Sequence, residues 1–221
     1  MADAIHINKV IEKEKILFVE GRDELVFFDS LLQFMGDEYH KTIQIIPYEG
    51  KAKLNEFLSM ISKTEGFIEN VSSFAVTRDA DMNHGAAIES INSTLRRLFS
   101  FCKVDHNEFK ETDALKIGVF VFPGKNKSGE LEDLVLDAIK GNQVCALVDD
   151  YLNGLENTTK PKNESSDFTF PRKPSKAKIQ IYFSSMKESD TRLGISAQRK
   201  YIDFNHDCSP LYYNVTTRGL F

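Results

Sequence analysis

The sequence predicts an α/β protein with a mainly parallel sheet of about four strands, helices on both sides and a small C-terminal extension. Three observations lead there. Short runs that are apolar on both faces recur along the chain, as buried parallel strands require. Stretches with apolar residues at helical spacing separate them. Strand and helix alternate four times, the pattern of a sheet covered on both sides.

The first run is Ile16-Leu-Phe-Val19, which ends in Glu20-Gly21. From Arg22 a helix is expected, with Leu25, Phe28, Leu32 and Met35 along one face. Thr42 to Pro47 reads as the second strand, and Glu49-Gly50-Lys51 turns into a helix carrying Leu54, Phe57, Leu58 and Ile61. The third strand is Phe74 to Thr77, leading into Asp79-Ala-Asp81. A long helix follows, with Ile88, Ile91, Leu95, Leu98, Phe99 and Cys102 on one face. A polar connection holding Asp105, Glu108, Lys110 and Glu111 precedes the fourth strand, Lys116 to Phe122. Pro123-Gly124 ends that strand, and a basic loop with Lys125 and Lys127 leads to a helix beginning near Gly129-Glu-Leu-Glu-Asp-Leu134. Glu130, Glu132 and Asp133 suit a first helical turn through the helix dipole alone. Glu156 to Ser175 holds three of the chain's six prolines and reads as a mobile loop. Helical spacing returns through Ile179, Tyr182, Phe183 and Met186, and residues 192–221 are too irregular to assign. The expected division is a core over residues 1–150, with residues 151–221 forming a basic loop and an extension packed on the same domain.

With 41% apolar and 28% charged residues in 221, the chain has the composition of a soluble globular protein. No apolar run approaches a membrane span, and the first residues do not read as a signal peptide, so a cytoplasmic location and no membrane partner are expected. Cys102, Cys145 and Cys208 form no C-x-x-C pair and read as reduced thiols. A net charge of −5 argues against binding nucleic acid through bulk charge alone. Locally the balance reverses: Lys160, Lys162, Arg172, Lys173, Lys176 and Lys178 face only Glu164 and Asp167 over residues 160–178. That segment reads either as a phosphate-binding surface or as a solvated linker.

Glu20 is expected at the carboxyl edge of a strand, where open α/β sheets bind ligands. Asp79 and Asp81, two apart in extended chain, would point to the same side of a second strand end. Three carboxylates at one rim repel unless a cation sits among them, and hard oxygen ligands suit Mg²⁺ or Mn²⁺. As a purely structural residue, Glu20 would be a salt-bridge partner near a helix start. His84 reads as a loop histidine bonded to backbone, with a metal role as the other option. Tyr48, Tyr182, Tyr212 and Tyr213 are available as covalent nucleophiles, but nothing singles one out.

The succession of Glu20-Gly21 after one buried strand and Asp79-x-Asp81 after a later one resembles the Toprim domain of topoisomerases, bacterial-type primases and OLD-family nucleases. Phe122-Pro-Gly124, Gly129-x-Leu-Glu-Asp-Leu134 and Lys176-Ala-Lys178 look closer still to small stand-alone Toprim-like proteins related to OLD-type nucleases. The core of the resemblance runs from about residue 15 to about residue 140. It implies a Rossmann-like fold, with Glu20 as general acid or base and metal ligand and with Asp79 and Asp81 holding a divalent metal. OLD-type nucleases add later acids and a lysine, for which Glu132 or Asp133 and Lys176 or Lys178 are the counterparts. The implied activity is Mg²⁺- or Mn²⁺-dependent hydrolysis of phosphodiester bonds in DNA or RNA, in phage defence or genome maintenance. Lys125, Lys127, Arg172 and Lys173 are the expected nucleic-acid contacts. Gly124 to Gly129 lacks the order of an ATP-binding P-loop, so any ATPase would be a separate subunit. A homo-oligomer is compatible with all of this.

Three rivals remain. A phosphoreceiver domain wants an acid pair after its first strand, where Glu20 stands alone. An aspartyl-nucleophile phosphatase wants its D-x-D at the first strand and followed by Thr or Val, whereas Met82 follows here. A Toprim-like fold kept as a silent regulatory or nucleic-acid-binding module is the third.

Overall fold

The computed structural model describes residues 11–100, 103–112, 115–159 and 168–205. Its elements in order are β1 (Lys15–Val19), α1 (Arg22–Met35), α2 (Asp37–Thr42), β2 (Ile43–Pro47), α3 (Leu54–Ile61), α4 (Glu65–Asn70) and β3 (Ser73–Asp79). There follow α5 (His84–Phe99), β4 (Glu108–Glu111), β5 (Lys116–Phe122), α6 (Leu131–Ile139), α7 (Gln143–Thr159), α8 (Pro174–Ser184) and α9 (Leu193–Gln198). The strands form one sheet in the order β2-β1-β3-β5-β4. All neighbours run parallel except β4, which is antiparallel to β5. The expected α/β class is therefore the observed one.

Each inner strand feeds two cores, because successive side chains leave opposite faces. Leu17 and Val19 of β1, Ala75 of β3 and Phe120 and Phe122 of β5 pack against α1 and α6 to α9. Ile16 and Phe18, Phe74 and Val76, and Ile117, Val119 and Val121 pack with α3, α4 and α5. Phe18 is fully buried and meets Phe57 and Phe74 edge-on, at ring separations of 5.6 and 5.4 Å. Aromatic pairs of that geometry stabilise beyond the area they bury.

The structure departs from the sequence reading in several elements. The polar connection before residue 116 contains β4, an edge strand whose Glu108, Lys110 and Glu111 are the charges that keep an edge from pairing with another chain. Residues 156–159 continue α7 and Pro174 opens α8, so the expected loop is shorter at both ends. The core of α1 includes Phe27 and Leu31 as well as Phe28 and Leu32, since α9 covers its second flank. The C-terminal segment contains α9, which joins the same core as Leu152, Ile179 and Phe183. The boundary at residue 150 falls inside α7. Cys102, Cys208, Tyr212, Tyr213, Lys160, Lys162, Glu164 and Asp167 lie outside the described residues. Cys145 is a buried free thiol. Among the described residues no helix is long and apolar enough to cross a membrane.

Candidate functional site

From β1 the chain crosses to β2 on one side, and β3 lies on the other. The gap between the carboxyl ends of β1 and β3 is thus a topological switch point, the place where sheets of this kind open a crevice. Glu20 follows the last residue of β1, and Asp79 is the last of β3. The turn after β2 folds across Glu20. The Gly50 N–H donates to its carbonyl oxygen at 2.9 Å and the Lys51 N–H to Oε1 at 3.3 Å. Glu20 Oε2 is buried and has no hydrogen-bond partner. Beneath it, the buried Tyr48 hydroxyl donates to the Thr77 carbonyl at 2.8 Å, and Thr77 Oγ1 donates to the Phe18 carbonyl at 3.2 Å. Burial and the nearby Glu20 push ionisation of Tyr48 far above its ordinary range. That leaves a stitch between strands and not a nucleophile.

The other wall is the start of α6. The Leu131 N–H donates to Asp79 Oδ1 at 3.0 Å, so Asp79 takes up one of the helix's free amides. Glu130 caps this helix in a box with Asp133, whose Oδ2 accepts the Glu130 N–H at 2.8 Å. Asp133 Oδ1 accepts from the Ser175 hydroxyl. Both oxygens of Asp133 are thus engaged in holding the helix start and α8, whereas Glu132 is near enough to Asp79 to act on its ionisation. Two backbone bonds tie Asp81 to Gly129, at 2.9 and 2.7 Å. Gly129 has φ +131° there, and a Cβ would fall 2.4 Å from Asp133 Oδ2, so only glycine fits.

Asp81 departs from expectation. Because β3 ends at Asp79 and Asp81 adopts φ +49°, the two-residue alternation of extended chain no longer applies. Its carboxylate pairs with Lys51 Nζ at 2.6 Å. Lys173 pairs with Glu130, and Lys176 Nζ lies 3.6 Å from Glu132. Lys178 instead reaches Asp149 of α7 at 2.6 Å, away from the acids.

The charges at the rim perturb one another. Burial first, then Glu20, Glu132, Glu24 and Glu130, push the Asp79 carboxyl up to about 8, outweighing the Leu131 amide that favours its charged form. Burial likewise raises Glu24, helped by Glu20, and raises Glu132 despite Lys176. Lys173 holds its proton more tightly through its bond to Glu130, with Asp81 and Asp79 adding to the effect. Among the described residues no three acidic, histidine or cysteine side chains stand arranged to hold a metal ion as they are. Glu20, Asp79 and Glu132 are the side chains closest to that role: oxygen donors, one with an orphaned buried atom and one whose acidity is weakened by burial and by its acidic neighbours.

The sequence reading did not single out Glu24 or Lys51. Both were within reach of the rule that found Glu20, since Glu24 is in the first turn of the helix that follows β1 and Lys51 follows β2. The His84 and His106 rings meet edge-on at 5.0 Å, and His84 Nε2 is buried without a partner, against the expected backbone bond. His106 Nδ1 accepts the Val121 N–H at 3.1 Å. Burial, His84 and then Lys125 hold His106 down to about 4, so it is neutral. Lys125 thus stands near this pair, Lys127 reaches Asp137 at 3.9 Å, and Arg172 is exposed.

Comparison with curated proteins and with solved structures returns no match. Comparison with protein-family models returns one that covers residues 14–210, from the start of β1 through α9 and beyond, and the chain belongs to that family, described as "Protein of unknown function (DUF3226)".

Proposed function

We propose that this chain is a Mg²⁺- or Mn²⁺-dependent phosphodiester hydrolase acting on nucleic acid, of the Toprim-like kind. One observation supports this most: Glu20 and Asp79 end adjacent parallel strands at the switch point, with Glu20 Oε2 orphaned and Asp79 held protonated. A divalent cation would relieve both conditions, and Glu20, Asp79, Asp81 and Glu132 are the residues that would hold it. Bound there, it would draw charge from a non-bridging phosphate oxygen. Lys51, Lys173 and Lys176 now sit on acids of the rim; they would turn to the phosphate and offset its charge. Glu24, half-buried and with its acidity weakened by burial, would hand a proton to the leaving oxygen. Tyr48 is committed to Thr77, which favours water as the attacking group.

The test incubates the purified protein with Mg²⁺, Mn²⁺ or EDTA on plasmid, single-stranded DNA and structured RNA. Glu20→Gln and Asp79→Asn should lower the rate at least about a hundredfold, the scale of losing a partner at a metal centre. Equal cleavage by wild type and variants would remove the proposal.

A second reading, a silent regulatory or nucleic-acid-binding module, is favoured by those same lysines, which already neutralise Asp81, Glu130 and Glu132. It predicts no Mn²⁺-dependent rise in melting temperature and no cleavage of any substrate.

A further inference from the structure

A cleft of about 350 Å³ opens beside the carboxylates, between α1, α8 and the segment leading into α9. Glu132 belongs to both: it lines the cleft, and it is among the acids that act on Asp79. The polar groups around the cleft fall into two sets. Asp23 is spent on the Leu193 and Gly194 N–H groups, at 3.2 and 2.8 Å, and Arg192 is held by both oxygens of Asp190. Arg22, Gln180 and Thr191 make no side-chain hydrogen bond or ion pair among the described residues. The walls between them are Val26, Ile179 and Leu193.

Apolar walls with a few convergent polar groups describe a small-molecule pocket, and the volume takes one nucleoside but not a base pair. Arg22, two residues past Glu20, and Lys176, beside Glu132, put positive charge on the lining of the cleft. A phosphate is what such cations attract, and Arg in particular matches it with a planar fork of donors. Gln180 offers both a donor and an acceptor to a base edge, while aliphatic walls suit its faces.

We propose that this cleft seats one unpaired nucleotide of the substrate strand, next to the phosphate to be cut. The substrate class is then single-stranded or frayed nucleic acid, and paired DNA or RNA must first expose a nucleotide. The inference rests on the phosphodiesterase reading for its neighbour, but not for its test.

Binding is read by fluorescence anisotropy on Asp79→Asn protein in Mg²⁺, so that cutting does not interfere, with wild-type cleavage run in parallel. Single-stranded DNA and RNA oligonucleotides and blunt duplexes of the same sequence are compared. Single strands should bind at least about tenfold more tightly than duplexes, the scale of one charge-assisted contact. A nucleoside monophosphate should compete where inorganic phosphate does not. Gln180→Trp, which fills the cleft from an exposed position, and Arg22→Ala should each abolish most of that preference without lowering the melting temperature. If both variants keep the preference while wild type cleaves, the cleft is not the nucleotide seat and the hydrolase reading stands. Competition by phosphate equal to that by nucleotide would also overturn the seat. If wild type neither binds nor cleaves, both fall.

Discussion

Asp79 is buried among like charges, and an acid so placed keeps its proton in the fold far longer than in the unfolded chain. Its carboxyl moves from 3.8 to about 8, so the native state binds that proton more tightly than the denatured one. The stability this contributes is complete at acid pH, below the unfolded value, and is lost as pH rises through about 8. Without divalent ions, wild type should therefore lose on the order of a few kcal/mol between about pH 5 and about pH 9. Asp79→Asn mimics the neutral acid and should show a flatter profile, with a higher urea midpoint than wild type at the alkaline end. Adding Mn²⁺ should restore wild type there and leave the variant unmoved. Parallel profiles for the two proteins would mean that the charge on Asp79 is already compensated, and the case for a cation at the rim would weaken with it.

At the scale of elements, the C-terminal segment is held by a contact that no local pattern announces. The Asp23 carboxylate of α1 accepts the first amides of α9, so a helix of six residues takes its cap from the other end of the chain. Gly194 lets the two helices approach: a Cβ there would stand 2.5 Å from the Asp23 carbonyl oxygen and 2.8 Å from Val26 Cβ. Asp23→Ala should cost about 1 kcal/mol, as cap removal does, and Gly194→Val about 2 kcal/mol or more, as overpacking does. Chemical denaturation measures both; equal stability in the valine variant would show that α9 can lift off freely. The same non-locality explains what the sequence hid. Strands β1, β3 and β5 were legible because helices on both faces leave uninterrupted apolar runs. Strand β4 was not, because its charged Glu108-Phe-Lys-Glu111 serves an exposed edge. Helix α7 was not assigned, and its last turn was read as loop because Asn157, Thr158 and Thr159 favour turns; there the Thr158 and Thr159 hydroxyls bond back to the Gly154 and Leu155 carbonyls inside the helix. At the site, Glu20 and Asp79 were legible as strand ends. The turn at Asp81, its partner Lys51 and the division between Glu132 and Asp133 depend on loop geometry, which spacing does not encode.

For the whole molecule, the question is how a chain of net charge −5 would hold a polyanion. Beyond a Debye length of about 8 Å at physiological salt the overall charge is screened, so only cations close to the strand count. Lys173 and Lys176 stand at the mouth of the crevice on α8 and its cap, while Lys125 and Lys127 lie on the loop after β5. Lys173 and Lys176 pair with Glu130 and Glu132 at the start of α6, and Lys127 with Asp137 further along that helix. A strand laid across the carboxyl edge of the sheet would meet both pairs, and each lysine that neutralises a phosphate releases a condensed counterion. Single-strand affinity should then fall with salt, and each productive lysine replaced by alanine should flatten the log–log slope by about 0.7. The Lys173→Ala/Lys176→Ala protein should show twice that change, because it lacks the two ammonium groups that wild type would exchange from Glu130 and Glu132 to phosphate on binding. Lys178→Ala serves as the control, since that lysine is tied to Asp149 on α7 and faces away from the acids. An equal slope change per lysine in both variants would mean that the loss is one of overall charge, and an unchanged slope in the double variant would confine Lys173 and Lys176 to their carboxylate partners.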